Sequence, residues 1–175
     1  MGCDIHAYIE YKKPTSAHWV DYGGRIDPGR RYGIFAKLAG VRNYFTDGKV
    51  EVPYPPRGLP DNLGYAADRD NRLYVLEDQD QDGEQPSKGS CLRSTAERWV
   101  AQGLSIWLRD DQCFVSHPDW HSHSWLTAAE LRECLSDPVL EFNEKEAPEY
   151  GAILNTLEYF EKLGYAARLV FWFDN

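Results

Sequence analysis

The chain contains no run close to the roughly 20 apolar residues of a membrane-spanning helix, so no membrane partner is expected. An export signal is not seen, because polar and charged residues appear by position 4. Gly2 is present, but His6 stands where a myristoylation motif needs Ser or Thr. Cysteine is sparse: Cys3, Cys91, Cys113 and Cys134 are widely spread and form no C-x-x-C, which argues against a zinc ribbon. Reduced thiols in a cytoplasmic location are the simplest expectation. Positive charge is in deficit, with 19 Lys and Arg against 28 Asp and Glu and a formal charge of −9. Such a chain repels a phosphate backbone, which excludes long nucleic acid as a general partner and leaves a small phosphorylated ligand that local arginines could hold. Neither an internal repeat nor a linker interrupts the 175 residues, so a single domain over 1–175 is expected.

Aromatics, by contrast, are abundant: 11 Tyr, 7 Phe and 6 Trp. Most should be packing residues, and some could wall a pocket that stacks a flat ligand. The clearest pattern is at the start. Ile5, Ala7 and Ile9 alternate with His6, Tyr8 and Glu10, the mark of a half-buried strand. Asp4, His6, Tyr8 and Glu10 then share one face, and Cys3, Ile5, Ala7 and Ile9 the other. The other end, from Ala167 to Asn175, is almost all apolar and reads as a central strand buried on both faces, with Asp174 among its few polar residues.

Between these ends, residues 18–22 read as a second strand ended by Gly23-Gly24. Asp27-Pro28 reads as the cap and first position of a helix carrying Tyr32, Ile34, Phe35 and Leu38 inward and stopping at Gly40. Residues 46–70 are full of Pro and Gly, the composition of a long and often functional loop. Residues 72–76, 104–108 and 112–116 suggest strands, and Ser94-Thr-Ala-Glu97 a capping box opening a helix to Gln102. Asp78, Asp80 and Asp82-Gly83 imitate a calcium loop, but the twelfth position is Gly89, so that reading is rejected. Thr127-Ala-Ala-Glu130 is a second capping box, for a helix to about Leu135. A longer helix after Pro148 would bury Ile153, Leu154, Leu157 and Phe160 and end at Gly164.

Of five histidines, His117, His121 and His123 cluster with Asp119 in what reads as a loop entering a helix. Such a cluster suits a metal site, an acid–base site, or merely a polar loop capping the helix. The pair Asp4-x-His6 has the same one-residue gap on a strand, where both side chains can aim at one point. Asp4, His6, Asp119 and His121 are therefore the candidate catalytic residues, and the candidate ligands should a divalent metal ion be the cofactor. Without metal, one histidine would act as base and the other as acid, each oriented by an aspartate. Ser122 and Ser124 lack a Gly-x-Ser-x-Gly elbow, so a nucleophilic role is not favoured. Arg31, Arg42 and Arg57, with Arg30, bracket the first helix and the long loop and could form an anion pocket, although each could equally make a surface salt bridge. Ser124, Trp125 and Asp174 complete the candidate ligand-binding set.

These words together — Met1-Gly-Cys-Asp-Ile-His6, Arg31-Tyr32, Leu38-Ala-Gly-Val-Arg42, Arg57-Gly-Leu-Pro60, Asp119-x-His-Ser-x-Ser-Trp-Leu126 and Phe171-Trp-Phe-Asp-Asn175 — resemble a family of small phage- and prophage-encoded proteins. His117 and His123 fall at variable places of that pattern, which ranks them below His6 and His121. The resemblance implies an accessory job, such as binding or destroying a host immune signal of the cyclic-nucleotide or ADP-ribose type.

The expected fold is α+β: a mostly antiparallel sheet with the first and last strands near its centre and three to four packed helices. Two functions stand side by side. One is a phosphodiesterase-like hydrolase of a small nucleotide. The other is a sponge that sequesters the same ligand without chemistry. A structural phage protein is a third reading. The paired Asp and His residues tilt the choice towards the enzyme. A homo-oligomer is compatible with the aromatic content, and nothing in the sequence fixes its symmetry.

Overall fold

A computed structural model describes residues 2–78, 88–140, 143 and 145–174. The fold is α+β and, among the described residues, has a four-stranded, wholly antiparallel sheet, a smaller three-stranded sheet and five α-helices. The chain divides into two compact units, Met1–Ala67 with His121–Asn175, and Asp68–Trp120. No described helix is long and apolar enough to cross a membrane.

The larger unit is built on β1 (Ile5–Lys12), β2 (Val20–Ile26), β6 (His121–Leu126) and β7 (Ala166–Phe173), in the order β2-β1-β7-β6. The first and last strands are thus the central pair, as their apolar content implies, and they stay in register from Ile5 opposite Phe173 to Lys12 opposite Ala166. Three helices, α1 (Tyr32–Ala39), α4 (Ala128–Leu135) and α5 (Pro148–Lys162), cover one face. Their Ile34, Phe35, Leu38, Leu131, Leu135, Ile153 and Leu157 meet Ile5, Ala7, Ile9, Leu169, Phe171 and Phe173 in one core.

That face follows the alternation read from the sequence. The opposite face does not behave as a half-buried strand would: His6, Tyr8, Glu10, Arg168, Val170 and Trp172 are all buried. Burial of these polar groups is tolerated because they pair across strands. Glu10, opposite Arg168, accepts from its Nε at 2.7 Å.

Local chemistry set several boundaries differently from expectation. Asp27 accepts from the Gly29 N–H at 3.0 Å in a turn rather than capping a helix. With Gly29 at φ 73°, the helix begins only at Tyr32, and it stops at Gly40 in the left-handed region, as expected. Strand β2 runs through Gly23 and Gly24 instead of ending there; both have positive φ and form the bulge in the middle of its pairing with β1, between Tyr22 opposite Ile9 and Arg25 opposite Tyr8. The Thr127 capping box forms as read, with Glu130 N–H donating to Thr127 Oγ1 and Thr127 N–H to the Glu130 carboxylate. Helix α5 opens on Pro148 and buries Ile153, Leu157 and Phe160.

In the smaller unit, β3 (Arg72–Leu76) pairs in parallel with β4 (Ser90–Leu92) and antiparallel with β5 (Phe114–Ser116). Helix α3 (Arg93–Ala101) begins one residue before Ser94 and has no side-chain cap; the Ser94 N–H is taken by Asp78 at 3.2 Å. The expected strand at 104–108 is reduced to a single bridge between Trp107 and Val115. Most of the rejected calcium-loop segment lies outside the described residues. The short α2 (Tyr65–Asp70) spans the point where the chain passes from one unit to the other.

Candidate functional site: a histidine row across three strands

The residues expected to form a loop at 121–126 form β6. The extended run His-Ser-His-Ser-Trp-Leu pairs with β7, and only after Leu126 does Thr127 cap α4. This edge strand carries an irregularity. His121 lies opposite Phe173 and Ser124 opposite Phe171, so three steps on β6 match two on β7. The extra residue is absorbed at Ser122, whose φ is 54°. One consequence is that His121 and His123, two residues apart, do not play equivalent parts. The His121 ring packs beside Phe173 with centroids 6.2 Å apart, and its Nδ1 lies 3.0 Å from Ser122 Oγ. The His123 ring instead stacks on Trp172 at 5.6 Å.

Trp172 is the centre of the arrangement. It is fully buried on β7, opposite His6 of β1. His6 stacks on it at 5.5 Å and Tyr8 at 5.3 Å, each with ring planes 22° apart. His6, Trp172 and His123 thus form a row across β1, β7 and β6. The Nε2–H of His6 donates to Asp174 Oδ2 at 3.2 Å. The other oxygen of Asp174 accepts the Asp4 N–H at 2.8 Å, while the Asp174 N–H returns a bond to the Asp4 carbonyl at 3.1 Å. Arg30 clamps the Asp4 carboxylate through Nε at 2.5 Å and Nη2 at 2.8 Å. A continuous polar chain therefore runs from Arg30 through Asp4 and Asp174 to His6.

Electrostatics separates the histidines. Burial, with the nearby His121 and His6 adding to it, pushes His123 down to about 4, so it is a neutral base at pH 7. The Arg30 guanidinium holds Asp4 below the usual carboxylate range. Burial pushes the Cys3 thiol up, against the opposing effect of Arg42, so Cys3 is a protonated core residue.

Asp4, His6, His121 and Asp174 all belong to the larger unit. Asp119 belongs to the smaller unit, where its N–H bonds His117 Nδ1 at 3.3 Å and its carboxylate lies 4.0 Å from the same ring. Among the described residues, no group of three or more His, Cys, Asp or Glu side chains could hold a metal ion. The metal version of the site therefore finds no ligand set there.

The expected ligand-binding residues separate into two places. Arg57 makes a two-pronged salt bridge to Glu130 at 2.8 and 3.1 Å, donates to the Trp125 carbonyl at 2.6 Å and lies 4.1 Å from the centroid of the Trp125 ring. Its N–H donates to the buried Ser124 Oγ at 3.3 Å. Those three residues serve one another. Arg31 donates to the Glu146 carbonyl and, with Arg30 and Tyr32, lines a cavity of about 340 Å³ at the start of α1. Tyr32 stacks on the exposed Phe45 at 4.8 Å, which meets the exposed Tyr44 at 4.5 Å, and Arg42 Nη1 donates to the Tyr44 hydroxyl at 2.8 Å.

The chain matches no family model, no curated protein and no solved structure.

The sequence ranked His123 below His6 and His121, put Arg30 in a candidate anion pocket rather than on Asp4, and did not single out Tyr8 or Trp172 as site residues. A signal for the last two was present. The even-numbered residues of both central strands alternate in phase, which places Tyr8 and Trp172 on the face of His6.

Proposed function

We propose that this is an accessory protein of the phage type that hydrolyses a small nucleotide, in the manner of a phosphodiesterase, by metal-independent acid–base chemistry. The observation that carries the reading is the pair of histidines flanking Trp172: His6 has a carboxylate on its Nε2, and His123 is kept neutral. Two groups of one type in unlike surroundings is the arrangement acid–base catalysis requires. In the proposed step, His123 takes a proton from water and the resulting hydroxide attacks phosphorus. The P–O bond to the leaving group breaks, and that oxygen takes a proton from His6, whose ring Asp174 orients. Arg30 positions Asp174 through Asp4. The phage assignment rests on the resemblance carried by the sequence words at both ends and in the middle of the chain, and the nucleotide class follows from it.

The sponge reading draws on a different observation. The exposed Tyr44 and Phe45, with Arg42 and the cavity walled by Arg30, Arg31 and Tyr32, offer aromatic and cationic contacts without any acid–base pair.

Incubation with a panel of cyclic dinucleotides and ADP-ribose derivatives, followed by chromatography, separates the two. Hydrolysis predicts product beyond one equivalent, lost in both His6→Gln and His123→Gln. A sponge returns intact ligand after heat denaturation. Turnover that survives both substitutions overturns the assignment of the histidines.

A further inference from the structure

The Pro- and Gly-rich stretch singled out in the sequence turns out to cross the second face of the large sheet. At one end it is tied to β6. The Gly58 N–H donates to the His123 carbonyl at 2.9 Å, the Arg57 N–H to Ser124 Oγ, and the Arg57 side chain holds Glu130 and the Trp125 carbonyl. At the other end it is tied to β7, β1 and β2. The Asn62 carbonyl accepts from Arg168 Nη2 at 3.1 Å, the Gly64 N–H donates to Glu10 Oε1 at 2.7 Å, and the Ala66 N–H to Asp21 Oδ2 at 2.9 Å. Going from β6 to β1 means crossing two strand spacings, roughly 10 Å, while moving four residues along the strands, roughly 13 Å, a diagonal of roughly 16 Å. The residues from 58 to 64 can reach roughly 20 Å when extended, enough for the crossing with a little slack. The path is diagonal. It leaves β6 beside His123, level with Trp172, and arrives at Glu10, level with Arg168. It therefore passes over the Tyr8–Val170 pair, next to the His6–Trp172–His123 row.

The two ends are not equivalent. The β1 end is buried: Glu10 is 0% exposed, Arg168 5%, and the Arg168 guanidinium lies 3.8 Å from the centroid of the Trp19 ring. Gly64 leaves no room for a side chain there, because a Cβ would sit 2.5 Å from Asp21 Oδ1 and 2.9 Å from Glu10 Oε1. The β6 end is exposed at Arg57 and Gly58, and its ion pair is wetted by solvent. Left-handed backbone at Gly58 (φ 79°) and Asn62 (φ 56°) provides the bends between the ends.

We infer that residues 57–66 are a strap that gates the histidine row, hinged at the buried Glu10–Arg168–Gly64 anchor and released at the Arg57–Glu130 latch. The inference rests on the reading of His6 and His123 as the acid–base pair, since a gate matters only to a site that admits a ligand. A half-exposed ion pair suits a latch because it is weak enough to open. The buried anchor cannot open without leaving charges unpaired in the interior.

The test uses the whole chain and no nucleotide, so its outcome is independent of the hydrolase assay. Arg57→Met keeps the aliphatic stem against Trp125 and removes the latch. Amide exchange followed by mass spectrometry should rise by up to about fivefold at 57–61, the scale set by loss of a surface ion pair. The Gly64 and Ala66 amides should stay protected. Carbethoxylation of His6 and His123 by diethyl pyrocarbonate should accelerate relative to the exposed His18 in the same sample. Glu130→Gln, which keeps an acceptor for the Thr127 cap, should reproduce both effects. Unchanged labelling of His6 and His123, or exchange rising uniformly over 57–66, overturns the gate.

Discussion

Lowering the pH should destabilise this protein in a window set by His123. An ordinary histidine titrates near 6.5, and burial beside His121 and His6 lowers His123 to about 4. Between these values the unfolded chain binds a proton that the folded chain refuses. Stability therefore rises with pH across the window. The contribution is complete above about 6.5, falls as the pH drops towards 4, and is absent below. A shift of 2.5 units, the difference between 6.5 and 4, corresponds to about 3 kcal/mol. That is a large share of the ~5–15 kcal/mol by which a domain is stable. The lowered carboxylates, Asp4, Glu130 and Asp137, are also lost in acid, but at and below the ordinary carboxylate range. Glu10 acts in the opposite sense, since burial raises it above the usual carboxylate range and its protonation favours the folded state. Comparison with His123→Gln removes these shared effects. Urea unfolding of both proteins from pH 7.5 to 4 should give curves that converge as the pH falls, the wild type losing about 3 kcal/mol more than the variant. Parallel curves across that range would refute the claim that His123 is neutral by burial.

Two further perturbations address the packing that holds the site. Arg168→Met strands Glu10 without its buried partner and should cost about 3–5 kcal/mol in denaturant unfolding, much of it recovered in the double variant with Glu10→Gln; a loss in the double equal to the sum of the singles would show that the pair is not coupled. Thr127→Ala removes the capping box that starts α4 directly after the His123 strand and should cost about 1 kcal/mol by the same assay, and no measurable loss would mean that the cap contributes nothing.

How much of this was legible in the sequence depended on whether local rules or distant partners decided. The central strand pair could be read because apolar residues recur every second position at the first end of the chain and run almost unbroken at the last. The Thr127 box and the Gly40 stop could be read because caps depend on neighbours within four residues. Asp27-Pro28 misled because Asp27 serves equally well in a turn, and Gly29 in the left-handed region settled which. The 121–126 segment looked like a loop because it is rich in Ser and His. It becomes a strand because β7 supplies a partner edge, which no local propensity reports. Asp4 and His6 were found together with Asp174 because all lie at matching ends of paired strands. The demotion of His123 came from comparing words. Its place beside Trp172 depends on a one-residue bulge at Ser122 that spacing alone does not announce.

That bulge also explains how a strand can serve the core and the site at once. In a regular β6, His121 and His123 would face the same way. With the extra residue absorbed at Ser122, His121 comes level with Phe173, whereas Ser124 and Leu126 stay in phase with the core. His123 is left beside Trp172, with its own carbonyl holding Gly58 of the strap. One irregular residue therefore sets three things: the separation of two histidines, the burial that keeps one of them neutral, and the point where the strap begins. A substitution that removes the bulge should disturb all three together. The left-handed φ of Ser122 makes Ser122→Val the sharpest such change, because a β-branched residue is poorly tolerated there. If the bulge is the organising feature, this variant should lose the acid-sensitive stability of His123 and the protection of the Gly58 amide in parallel. Loss of one without the other would separate the histidine row from the strap.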